Sequence, residues 1–156
     1  MDAIVALQAS AFGAWARGSA YAYPLANLIH LLGLLLLVGG IGVLDLRLAG
    51  LFRALPVAPL SRALTPLAIA GLILMLPSGF TMFAADAKAL AGSGLFRWKL
   101  VLIGLAVANA VAFRWAWGRR LDRWGGAIPP GARAMAIGSL ALWLVVGALG
   151  RLIAYA

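Results

Sequence analysis

The sequence predicts an all-α fold: a polytopic membrane protein whose four-transmembrane-helix bundle follows a short N-terminal interfacial helix, all in a single membrane domain over residues 1–156. Three observations carry this reading. The chain is 65% apolar, with a mean hydropathy of +1.03, a composition outside the range of soluble domains. Its apolar residues fall into four stretches, each of about 20 residues, which at a rise of about 1.5 Å per residue cross a bilayer's hydrocarbon core. Nearly all of the Arg and Lys residues behind the formal charge of +9 lie beside those stretches. Membrane topology and anionic lipid therefore explain the charge, and no separate basic domain exists to bind nucleic acid. With no cysteine, disulfides, thiolate metal sites and thiol nucleophiles are excluded. His, Met, Tyr, Lys and carboxylates must carry any chemistry.

Residues 1–19 are too polar and too broken by glycine to span, and lack the basic start and cleavage pattern of a secretory signal. They read as an interfacial helix, with Ala3, Ile4, Leu7, Phe12 and Trp15 giving apolar area. The first span, 24–44, lies in an uncharged run that holds the only histidine, His30. Pro24 suits its first turn, while Asp45 and Arg47 mark the return to water. Tyr23, Asn27, His30, Leu34 and Leu37 fall along one side, so this polar face is expected to point into protein.

A basic connection, 49–62, carries Pro56 and Pro59 and leads to the second span, 63–83. Pro66 lies in the first turn of that span, and Pro77 near its far end is expected to bend it beside Met75, Ser78 and Met82. A polar loop, 84–94, precedes the third span, 97–117, which opens with Arg97 and Lys99 and carries Asn109 near mid-membrane. An interhelical hydrogen bond suits Asn109. The most basic connection, 118–133, leads to the fourth span, 134–154, with Arg151 near its end. No internal repeat or long linker divides the chain.

Four spans place Arg47, Arg53, Arg62, Arg114, Arg119, Arg120, Arg123 and Arg133 on one side, and Arg17, Lys88, Arg97, Lys99 and Arg151 on the other. The positive-inside rule then puts both termini on the non-cytoplasmic side, as expected for a multi-pass protein of a bacterial inner membrane. That topology gathers the unusual side chains at one depth, because His30, Ser78, Met75, Met82, Lys99 and Arg151 all fall in the outer half of the bundle. An imidazole with methionines and flanking cations is a donor set that suits haem b: His30 as axial ligand, Met75 or Met82 opposite, and Lys99 and Arg151 near the propionates. Tyr23, Asn27 and Ser78 complete the candidate cofactor-binding set, and His30, Met75 and Met82 the candidate metal ligands. Each has a plainer reading beside this one. A lone intramembrane histidine also serves as a hydrogen-bonded packing residue, methionine as core, and a base at a helix end as a snorkelling side chain.

The order of residues adds a resemblance. His30, followed by Gly40 and then Asp45, Leu46, Arg47 and Leu48, resembles the first helix of the small membrane-embedded protoporphyrinogen oxidases, and FRWKLVLIGLAVANA with Lys99 resembles their third helix. The similarity covers spans one and three. It implies haem or porphyrin binding at His30 and Lys99. The chain departs from the family pattern at Asn109, where the family carries a further histidine, and at Asp45, which replaces a proline. Copper-resistance-type membrane domains and uncharacterised bacterial families share the same outline.

Three functions follow from these readings. The first is a haem-b membrane protein acting in electron transport or porphyrin handling. The second is a noncatalytic subunit of a larger membrane complex, with other membrane subunits or further copies of the chain as partners beside the lipid bilayer. The third is a copper or small-solute transport domain using His30, Met75 and Met82.

Overall fold

The computed structural model of the chain describes residues 2–124 and 127–155, and no strand occurs among them. Two short helices, α1 (Asp2–Ala9) and α2 (Ala11–Gly18), precede the long helices α3 (Ala22–Ala49) and α4 (Val57–Ala85). A short α5 (Ala87–Gly92) leads into α6 (Gly94–Trp117), which runs on as a 3-10 turn (Gly118–Arg123). Helix α7 (Pro130–Leu152) closes the chain with a last 3-10 turn (Ile153–Tyr155). Four of these, α3, α4, α6 with its 3-10 extension, and α7, are long and apolar enough to cross a membrane. The protein is an all-α bundle of four such helices.

Helices α3 and α4 overrun the expected spans at both ends, and at the end of α3 it is capping chemistry and not charge that stops the helix. At the end of α3, Gly50 adopts φ 117° and its N–H bonds the Arg47 carbonyl, while the Leu51 N–H reaches Leu46. This left-handed glycine termination carries the helix past Asp45 and Arg47. Neither residue has returned to water: Asp45 is 7% and Arg47 4% exposed. Arg47 instead turns back onto the α3–α4 connection, donating from Nε to the Leu55 carbonyl at 2.6 Å and from Nη2 to that of Arg53 at 3.3 Å. Asp45 faces the Ser139 hydroxyl of α7.

Other boundaries move for related reasons. The N-terminal stretch is two helices, since Ser10 ends one and caps the next, donating to the Leu7 carbonyl and accepting from the Gly13 N–H at 3.1 Å. Pro59 stands in the first turn of α4, where its missing N–H removes no internal bond. That early start leaves both Pro66 and Pro77 inside the helix. The polar loop is largely helical as α5, and Ser93 then caps α6 at the Phe96 N–H. In the 118–133 connection the 3-10 turn occupies the first part, and residues 125 and 126 lie outside the described residues.

Helix α3 is the centre of the bundle, packed along α4 on one side and α7 on the other, with α6 resting on α7. The α3–α4 seam is built on small residues. A Cβ at Gly71 would stand 2.5 Å from the Gly33 carbonyl and 2.6 Å from the Leu37 N–H nitrogen, and one at Gly40 would stand 2.9 Å from the Leu64 carbonyl. These backbones touch directly, the close approach that drives helix association where lipid tails are as apolar as leucine. One apolar cluster fills the middle around Leu37, Ala68, Met75, Ala106, Trp143 and Val146. A second, with Leu44, Leu48, Val57, Phe113 and Leu121, fills the end that carries the α3–α4 and α6–α7 connections.

The other end is capped by the N-terminal pair. Phe12 stacks on Phe80 at 5.9 Å between ring centroids, Arg17 donates to the Ala85 carbonyl at 3.0 Å, and the Gln8 side chain accepts from the Lys88 N–H at 2.7 Å. Phe12 and Trp15 remain exposed, as suits a helix lying in the headgroup layer.

Candidate functional site

His30 lies on α3 one turn above the glycine seam, half-buried against α4. Gly79 makes room for its ring, since a Cβ there would stand 3.1 Å from Cε1 and 3.4 Å from Nδ1. The adjacent Ser78, 4% exposed, supplies the polar partner: Nδ1 and the serine Oγ are 3.1 Å apart. Direction follows from the next bond in the chain. Ser78 Oγ is 2.6 Å from the Leu74 carbonyl, an acceptor only, so the serine hydrogen is committed there. The serine oxygen must then accept, which places the imidazole hydrogen on Nδ1 and leaves the lone pair of the neutral ring on Nε2. A histidine whose one nitrogen is fixed by a buried donor bond presents the other as a ligand in a defined orientation.

Lys99 comes to the same layer from α6. It is half-buried, and its Nζ lies over Gly150 of α7, where a Cβ would stand only 3.2 Å away. No ion pair to Lys99 occurs among the described residues. Three helices therefore bring an imidazole, a hydroxyl and an unpaired cation together, and the fourth provides the glycine surface on which the lysine rests.

The remaining candidates divide. Met75 is 9% exposed and packs in the α3–α4 seam, where a Cβ at Gly33 would be 2.7 Å from its Cγ. It fills core space beside the imidazole layer. Met82 is half-buried two turns further along α4. Tyr23 and Asn27 are exposed and do not face into protein. The small residues Ala22, Ala26, Gly33 and Gly40 occupy the buried stripe of α3, and the larger polar residues are thereby turned onto its flank. Arg151 is exposed at the end of α7, with its guanidinium 4.7 Å from the centroid of the Tyr155 ring. No group of three or more His, Cys, Asp or Glu residues suited to a metal occurs among the described residues.

Two features of this region escape the sequence reading. Gly150 reads as an ordinary packing glycine until Lys99 is seen lying over it. Trp143 sits at mid-span and not at an interface, is 5% exposed, and its Nε1 has no partner among the described residues. A tryptophan in the middle of an apolar span was the available signal, because its N–H needs an acceptor when buried. Asn109 does donate across the helices, to the Met135 carbonyl at 3.1 Å. Comparison with protein-family models, curated proteins and solved structures returned no match.

Proposed function

We propose that the protein is an integral membrane haem-b protein of electron transfer or porphyrin handling, with His30 as its axial ligand. The single observation that carries this is the His30–Ser78–Leu74 chain, which anchors the ring through Nδ1; with the serine hydrogen on the Leu74 carbonyl, Nε2 would carry the lone pair that a metal needs. Lys99 adds a cation with no anion to neutralise it among the described residues, as a propionate would. Arg151 is free to exchange its Tyr155 ring for a second propionate. When bound, the iron supplies one-electron chemistry. The chain itself holds the ligand nitrogen unprotonated and pairs the acidic groups.

Met75 has a different role. Its burial in the seam makes it a wall and not a ready ligand, so a second donor to a bound iron would come from Met82 or from a group outside the chain. The copper reading has no comparable support, since it needs several soft donors around one point and Met75 is committed to packing. The likeness to membrane-embedded protoporphyrinogen oxidases, carried by His30 with Gly40 and Asp45 to Leu48 and by the stretch that holds Lys99, includes the two residues that define this site.

The accessory-subunit reading is favoured by a separate observation. The apolar window of α6 is only 6% buried within the chain, so most of that helix is available to lipid or to another membrane subunit. The visible spectrum of protein purified in detergent separates the two. A Soret band with visible bands that sharpen on dithionite reduction supports the haem reading, and Lys99→Ala should then retain the spectrum while losing haem faster on dilution. A colourless protein that takes up no added haemin leaves the accessory role ahead.

A further inference from the structure

We infer that the end of the bundle opposite the His30 layer holds a binding site for a phosphate group, supplied by an anionic phospholipid headgroup or by a soluble phosphate. A cavity of about 340 Å³ opens there between the start of α4 and the end of α6. Its polar walls are Ser61 and Arg62 from α4, Arg114 from α6, and Arg119 and Asp122 from the 3-10 turn. Three guanidinium groups thus meet one carboxylate in a recess at the end of the helices.

The arrangement is built and not merely a scatter of surface bases. Ser61 is 1% exposed, and its oxygen accepts from Arg114 Nη1 at 3.0 Å. That bond draws the Arg114 side chain off the outer surface of α6 and across to α4. Arg62 contacts Asp122 at 3.2 Å, but both side chains are about two-thirds exposed, so water and salt screen the pair and an incoming anion can compete for the arginine. Arg119 has no protein acceptor among the described residues. Its donors are free.

The chemistry selects phosphate. Guanidinium groups offer planar forks that match phosphate oxygens, and several converging forks satisfy a tetrahedral oxyanion better than a lone carboxylate. The depth is also right for a headgroup. The cavity spans the first turns of α4 and the last turn of α6, and the same end of the bundle carries Trp117 and Trp124, aromatic side chains of the kind found at the membrane–water boundary. Basic clusters at the ends of spans attract anionic lipid on the cytoplasmic face, the side to which the positive-inside rule assigns this end.

The test is a binding titration of the full-length protein in neutral detergent against short-chain phosphatidylglycerol, phosphatidylcholine of the same chain length, and inorganic phosphate. Phosphatidylglycerol or inorganic phosphate should bind with a preference of about tenfold over phosphatidylcholine, and Arg119→Gln should remove about tenfold of the affinity. Arg119 makes no side-chain hydrogen bond among the described residues, so its loss should leave the fold intact. Arg114→Gln should weaken binding further, and Arg123→Gln, outside the cavity on the same connection, should not. Binding of both probes identifies free phosphate as a competent source, whereas binding of phosphatidylglycerol alone identifies the headgroup. Equal loss in Arg123→Gln and Arg119→Gln, or no preference over phosphatidylcholine by either probe, would overturn the site.

Discussion

Ser78 illustrates how one hydroxyl decides the chemistry of another residue. Its Oγ lies 2.6 Å from the Leu74 carbonyl and 3.1 Å from His30 Nδ1; with its hydrogen on Leu74 its oxygen accepts from Nδ1–H, and Nε2 of the neutral ring is then bare. Replacing the serine by alanine removes that instruction and little packing volume. We predict that Ser78→Ala folds normally but binds haemin about 10- to 100-fold more weakly than the wild type, the usual cost of losing a partner that orients a ligand histidine. Unchanged affinity would mean that the serine does not set the tautomer. At this scale His30, Ser78 and Lys99 were legible in the sequence, because a polar side chain inside an apolar span stands out. Asp45 and Ser139, or Arg114 and Ser61, were not. Their pairing depends on how α3 meets α7 and α6 meets α4, and no local pattern records that. Asp45 even carried the wrong signal, since a charge near the end of an apolar run resembles a membrane exit until the glycine termination at Gly50 is seen to extend the helix beyond it.

Among the elements, the α3–α4 pair holds the site in place. Gly33 and Gly71 let the two backbones touch, and that contact sets the height at which His30 meets Ser78 and Gly79. The nearest obstacles to a side chain at Gly71 are backbone atoms at 2.5 and 2.6 Å, which cannot rotate away. Gly71→Ala should therefore destabilise the protein by about 1–3 kcal/mol, the range for overpacking a tight core, and lower its melting temperature in detergent. Gly104→Ala is the matched control, because a methyl there on α6 would meet nothing within 4 Å, and it should be neutral or slightly stabilising through better helix propensity. Equal melting temperatures for the two variants would contradict the seam. The number and order of the long helices could be read from apolar runs alone. Their ends could not, since local features such as the Gly50 termination of α3, the Ser93 cap of α6 and the prolines that open α4 and α7, and not charges, mark them. The split at Ser10 and the helical α5 are short elements whose signals are equally local and were overshadowed by polarity.

For the whole molecule, the four-helix bundle has two unlike ends. One carries the imidazole and lysine layer under the N-terminal cap, and the other carries the arginine-lined cavity and the buried Arg47 latch. The excess of basic residues at the second end predicts that it faces the cytoplasm. Because the chain has no native cysteine, single substitutions report this cleanly. Ala89→Cys on α5 should react with an impermeant thiol reagent added outside intact cells, and Ala127→Cys in the α6–α7 connection should react only after permeabilisation. The reverse pattern would move the His30 layer to the cytoplasmic half. The central claim is that His30 is a metal-binding imidazole, and a haemin titration of wild-type protein beside His30→Ala, followed at the Soret band, tests it most directly. No other imidazole or thiolate exists in the chain to replace the ligand. A saturable Soret shift at one haem per chain is expected for the wild type and its loss in His30→Ala; an identical shift in both proteins would contradict the claim.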